Sequence, residues 1–160
     1  MTEEVRMGAN TLLVPDAGAG TAGRRPVNLL AAVLIDRGDR LILDVHGQQM
    51  PVPGLRRRVE RQPGSRHVFV EIGPEHLHDA SVGVPPGVRA SVLHGIVRAV
   101  RVEGAQRFLD VEVADSTRWQ PAPELTVRAD RRCTAKAGDP VMLAVDLRHL
   151  QVYPGAGDPL

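Results

Sequence analysis

From Pro26 onward the chain is a succession of short segments in which apolar and polar residues alternate, each closed by glycine or proline. A period of two puts successive side chains on opposite faces of an extended backbone, so segments of this kind fold as strands. In Arg40–His46, Leu41, Leu43 and Val45 point one way and Ile42, Asp44 and His46 the other. The continuous apolar run Leu29–Ile35 stands before it, across Asp36-Arg37-Gly38-Asp39, and the pair predicts a hairpin. His67–Ile72 repeats the alternation with Val68, Val70 and Ile72 inward, and Gly73-Pro74 ends it. Ser91–Glu103, Arg107–Val113 (Leu109, Val111 and Val113 on one face), Glu124–Ala129, Pro140–Asp146 and His149–Tyr153 complete about eight strands, the pattern of a small barrel or sandwich. Gln48–Pro63, with Pro51, Pro53 and Pro63, is expected to be a loop or sheet edge.

Composition agrees. Glycine and proline are frequent (16 and 13), and valine, whose branched side chain suits a pleated sheet, occurs 22 times. With 42 % apolar residues the chain can bury a core. The only cysteine, Cys133, excludes an internal disulfide and metal sites built from several cysteines. No apolar run approaches the roughly 20 residues that span a bilayer. The start, Met1-Thr-Glu-Glu-Val-Arg, leads into no signal-peptide core, so a cytoplasmic location is expected. Residues 1–25, rich in glycine and alanine, read as a flexible tail or linker with room for a short strand at Thr11–Val14.

Five short signatures occur in order: Pro26-Val27-Asn28-Leu29-Leu30, Gln49-Met50-Pro51-Val52-Pro53, Ile72-Gly73-Pro74-Glu75-His76-Leu77, Gly95-Ile96-Val97 with its turn at Gly104, and Ala137-Gly138-Asp139-Pro140-Val141 leading to Asp146-Leu147-Arg148-His149-Leu150-Gln151-Val152-Tyr153. Over about residues 26–155 this series resembles the C-terminal regulatory (transport-associated OB, TOBE) domain of ATP-binding subunits in maltose-type and other sugar ABC importers. The resemblance implies an all-β, OB-like small barrel in which residues 92–160 pack with a smaller half, residues 26–91. It also implies a non-catalytic regulatory and assembly role, with no cofactor and no metal. The partners it implies are an importer ATPase subunit or a second copy of the chain, at the inner face of the membrane only through a permease complex. Matching positions are Asn28, Pro74, Leu77, Gly95, Gly104, Gly138 and Asp139, expected to be structural, and Glu75 and His76, expected contacts. The chain departs from the pattern where Glu71 and Gly73 replace a glycine and an arginine, and where Glu103 precedes Gly104.

A phosphate-binding loop needs Gly-Lys-Ser/Thr, and the sole lysine, Lys136, lies between Ala135 and Ala137, so the chain is not expected to hydrolyse ATP. Without the ATPase it reads as a detached regulatory domain or a stand-alone relative. One alternative is a stand-alone small-molecule or oxyanion binder using backbone amides near Ser91–Gly95 and Lys136–Gly138. Another is a dinucleotide enzyme: Gly18-x-Gly20-x-x-Gly23 fits the fingerprint, with a helix from Pro26 and Asp39 or Asp44 for a ribose, yet Pro15 intervenes and no second βαβ unit follows.

Glu75, His76 and His78, with His94 or His149, could ligate a metal, although no acidic partners recur at ligand spacing. Arg56, Arg57, Arg58, Arg61 and Arg66 form the densest positive cluster. Nucleic-acid binding is not expected from it, since net charge is +1 and the four aromatics, Phe69, Phe108, Trp119 and Tyr153, are scattered. Phe69 and Phe108 fall on the outward faces of their strands and are partner-contact candidates. Cys133, among Arg131 and Arg132, could have a lowered pKa, but no catalytic base stands near it in sequence.

Overall fold

The computed structural model describes residues 11–15, 24–53, 55, 63–87, 90–114 and 122–155. Among them are eleven strands: β1 (Thr11–Pro15), β2 (Arg24–Asp36), β3 (Leu41–Val45), β4 (Gln48–Pro51), β5 (Gly64–Ile72), β6 (Leu77–Asp79), β7 (Ala90–Glu103), β8 (Gln106–Val113), β9 (Glu124–Ala129), β10 (Pro140–Asp146) and β11 (Gln151–Pro154). The only helical elements among the described residues are short 3-10 turns, including Pro74–His76 and Leu147–His149. The all-β expectation holds.

Two antiparallel sheets form. The first has the order β11-β5-β2-β3-β4, with β1 also on β2, and the second β6-β10-β7-β8-β9. Each is organised on one long strand that serves different neighbours along its length. β2 pairs with β1 through Arg24–Asn28 and with β3 through Val33–Asp36, while β5 takes Asn28–Asp36. β7 pairs with β10 through Ala90–Ile96 and with β8 through Gly95–Glu103, with a bulge between Val97 and Ala99. Such a stagger curls a sheet toward closure.

The inward rows are those the alternation predicts. Leu41, Leu43 and Val45 are fully covered, as are Val68, Val70 and Ile72, and Leu109, Val111 and Val113. With Leu30, Leu34, Leu93, Leu125, Val127, Leu143 and Val145 they make one core between the sheets. Each buried leucine contributes about 1.5–3 kcal/mol, so the core is the principal stabilising term.

Two details differ from expectation. β6 occupies what reads in sequence as linker, because Leu77, His78 and Asp79 pair with Val145, Ala144 and Leu143 of β10. At the other end His149 belongs to a 3-10 turn, and β11 starts only at Gln151. β6 opens the second sheet, β6–β10, whereas β11 returns from the end of that sheet to pair with β5 in the first. Of the stretch Gln48–Pro63, expected as a loop or sheet edge, Gln48–Pro51 is an edge strand of the first sheet, with Pro51 at its end, and residues 54 and 56–62 lie outside the described residues. A helix from Pro26, which dinucleotide binding requires, is overturned: that stretch is the longest strand of the first sheet.

Candidate functional site

The sheets are joined by two side-chain carboxamides. Asn28, wholly buried on β2, donates from Nδ2 to the Thr126 carbonyl (2.9 Å) and accepts at Oδ1 from the Thr126 amide (2.8 Å). Gln48 on β4 does the same to His94 of β7, donating from Nε2 to its carbonyl (2.9 Å) and accepting at Oε1 from its amide (2.8 Å), and Nε2 also donates to the carbonyl of Ala114, just past β8 (2.7 Å). Each amide stands in for a strand that is missing from the ladder. Other motif positions lie in the core or in turns. Leu77 is in the core, Pro74 opens its turn, and Gly104 and Gly138 take φ of 61° and 94° in tight turns. Asp139 Oδ2 accepts from the Lys136 amide (2.9 Å) and closes the second of those turns.

Glu75 and His76 sit where the chain crosses between sheets. The turn Pro74–His76 carries it from β5 to β6, and Leu147–His149 carries it back from β10 to β11. The two turns lie together, so the His76 and His149 rings stack with centroids 3.7 Å apart and planes 6° from parallel. Glu75 Oε1 lies 3.4 Å from His76 Nε2. Burial, then the neighbouring His149, hold the His76 imidazole below its ordinary pKa, although Glu75 and Asp146 oppose this. Asp146 caps the second turn and is buried. Burial alone would push its carboxyl up, but hydrogen bonds from Arg148 outweigh it and hold the group below the usual range. A small polar cleft of about 130 Å³, bordered by Glu71, Gly73, Glu75, His76, His149 and Gln151, opens beside the pair.

Of the histidines weighed as ligands, the structure thus assembles His76 with His149. His78 borders a separate cleft with Arg128 and Arg132, and His94 lies exposed on the outer face of β7. Asp146 was not among the residues singled out. Its three-residue spacing from His149 across a turn was the available signal.

Phe69 is 38 % exposed on the outer face of the first sheet, directly opposite Tyr153 (44 %) and Ala31 on the neighbouring strands. Phe108 is a correction. It faces outward as its position in β8 requires, but it is only 7 % exposed. The Arg101 guanidinium lies over its ring, 5.8 Å from the centroid, and is fixed by bonds to Asp110 (3.1 and 3.0 Å) and Glu103 (3.1 Å). Phe108 therefore offers no open surface to a partner.

Amides near the proposed anion site are already engaged. The Lys136 amide donates to Asp139, that of Gly138 to the Val97 carbonyl (2.7 Å), and that of His94 to Gln48. Beside them runs an open groove of about 700 Å³ between Ala80-Ser81, Ile96, Thr134-Ala135 and Pro140–Met142. Cys133 is buried rather than activated by its arginines. Burial first, and the Asp79 carboxylate, push its thiol up. Gly18, Gly20, Gly23, Arg56, Arg57, Arg58, Arg61 and Trp119 lie outside the described residues. No helix among the described residues is long and apolar enough to cross a membrane.

No protein-family model matches the chain, and no curated protein matches it by sequence. Among solved structures it is similar to the cytoplasmic molybdate-binding protein ModG, in a crystal form with molybdate bound. The TM-score is 0.55 at 13 % identity, over 80 % of this chain and 96 % of that one. At that identity the likeness speaks for the fold alone, and the fold is the OB-type β architecture.

Proposed function

We propose that the chain is a non-catalytic regulatory and assembly module of the TOBE type, serving the ATP-binding subunit of a sugar importer in the cytoplasm. The observation that carries this reading is where the five signatures fall. Asn28 and Pro74-Glu75-His76-Leu77 lie where the sheets meet, Gly138-Asp139 at a turn, and Gly95 where β7 passes from β10 to β8, so the series describes one way of closing this barrel. Phe69 and Tyr153 then form the exposed aromatic face through which a subunit is contacted.

The test is co-sedimentation with a sugar-importer ATP-binding subunit from the same genome that lacks its own C-terminal barrel. Binding that Phe69→Ser weakens, without loss of the β-sheet spectrum, supports the reading. Absence of binding at high micromolar concentration overturns it.

A second reading, a stand-alone oxyanion binder, is favoured by one observation: a molybdate-binding protein matches this fold over nearly its whole length. Because the amides near Lys136 and His94 are engaged within the chain, an anion site would draw on a second copy. Stabilisation by molybdate or tungstate together with dimer formation supports this reading, and flat melting curves with both remove it.

A further inference from the structure

Both crossings between the sheets bring a histidine to the same place, and no core packing demands it. His149 is exposed and His76 half-buried, and their rings meet at the mouth of the polar cleft. Behind them stands the buried Asp146 carboxylate. One donor atom from each of His76, His149 and Asp146 lies within 4.8 Å of the other two. The surroundings are acidic: Glu71, Glu75 and Asp146 face the cleft and the stack, and Arg148 is the cation bonded there. Such a field favours a bound cation.

We propose that His76, His149 and Asp146 form a binding site for a divalent transition-metal ion of the zinc class, which ties the two crossings together. Two imidazoles and a carboxylate suit zinc, cobalt or nickel, whereas magnesium and calcium prefer all-oxygen shells. Metal–ligand distances near 2.0–2.2 Å require the donors to close slightly. An ion must also lie near the plane of each ring, so the exposed His149 turns out of the stack to reach it. Asp146 Oδ1 accepts from the Arg148 amide (3.1 Å) and Nε (3.2 Å), while Oδ2 accepts one bond, from Nη2 (3.1 Å), and keeps a lone pair for the metal. Glu75, 3.4 Å from His76, or a water in the cleft completes a four-coordinate shell.

The experiment is titration of the full chain with zinc against a chromogenic chelator, and with cobalt followed by visible absorption. The wild type should give the intense visible bands of four-coordinate cobalt, one ion per chain, and a higher melting temperature with zinc. His149→Ala, at an exposed position, should fold and lose affinity by at least about 100-fold, beyond the usual effect of removing an outer-shell partner. His76→Ala should do the same, and His94→Ala, an exposed histidine elsewhere, should leave binding unchanged. Weak pink six-coordinate cobalt, equal binding by wild type and His149→Ala, or an equal loss in His94→Ala would overturn the site.

Discussion

The carboxamide of Asn28 pairs with both backbone groups of Thr126, at 2.9 and 2.8 Å, and so closes the free edge of β9 with a side chain in place of a strand. Thr126 is itself buried, so removing the amide leaves both groups away from bulk water. Two stranded backbone groups cost about 2–4 kcal/mol together, which Asn28→Ala should show in urea unfolding. Asn28→Asp keeps the acceptor but buries a charge that cannot donate. Its deficit should shrink as pH falls and the carboxyl becomes protonated, whereas the Asn28→Ala deficit should not follow pH in this way.

Two glycines of the resemblance should respond differently to alanine. A Cβ on Gly95 would stand 2.5 Å from Val111 Cγ1 and 2.7 Å from the Glu112 carbonyl oxygen, so β7 and β8 must part. Gly104 has open space around it but a φ of 61°. Gly95→Ala should destabilise by about 1–3 kcal/mol through overpacking. Gly104→Ala should cost about 1 kcal/mol from backbone strain alone, measured by the same unfolding curves.

Glu124, at the start of β9, is held above the ordinary carboxylate pKa by burial, with Asp110 and Glu112 adding repulsion that Arg101 and Arg98 only partly offset. A raised carboxyl pKa means the fold favours the protonated form. Its stabilising share is complete below the unfolded value of 4.5 and is lost as pH rises through the folded one. Glu124→Gln should therefore melt higher than the wild type at neutral pH, and the advantage should disappear below pH 4.5.

Cys133 should resist alkylation by iodoacetamide at neutral pH in the folded chain and react readily in denaturant. Its sulfur is buried and donates to Asp79 Oδ2 at 3.3 Å, so both access and thiolate formation are suppressed. A labelling rate equal to that of a free thiol would show that the loop from Asp130 to Lys136 opens.

The rows of the core were legible because period-two alternation is a local property: Leu41, Leu43, Val45, Val68, Val70 and Ile72 each declare a face within a few residues. What was not legible depends on distant partners. β6 has three residues and no pattern of its own, and it is a strand only because β10 offers an edge. Phe108 is covered because β7 places Arg101 opposite it, a matter of register rather than of local composition. The meeting of His76 with His149 needs both crossings in place. Asp146 ends the apolar strand Pro140–Asp146, and in sequence nothing pairs it with His76.

The return of β11 to the first sheet bears on how the molecule is made. β11 lays Val152 beside Val70, so the first sheet stays unfinished at that edge until the whole second sheet has left the ribosome. Until then β5 presents an unprotected margin, the kind that invites pairing with other nascent chains. The edge of β5 is therefore completed by the last strand of the chain, and a cut between Asp79 and Pro140 would part β11 from β5 and β6 from β10.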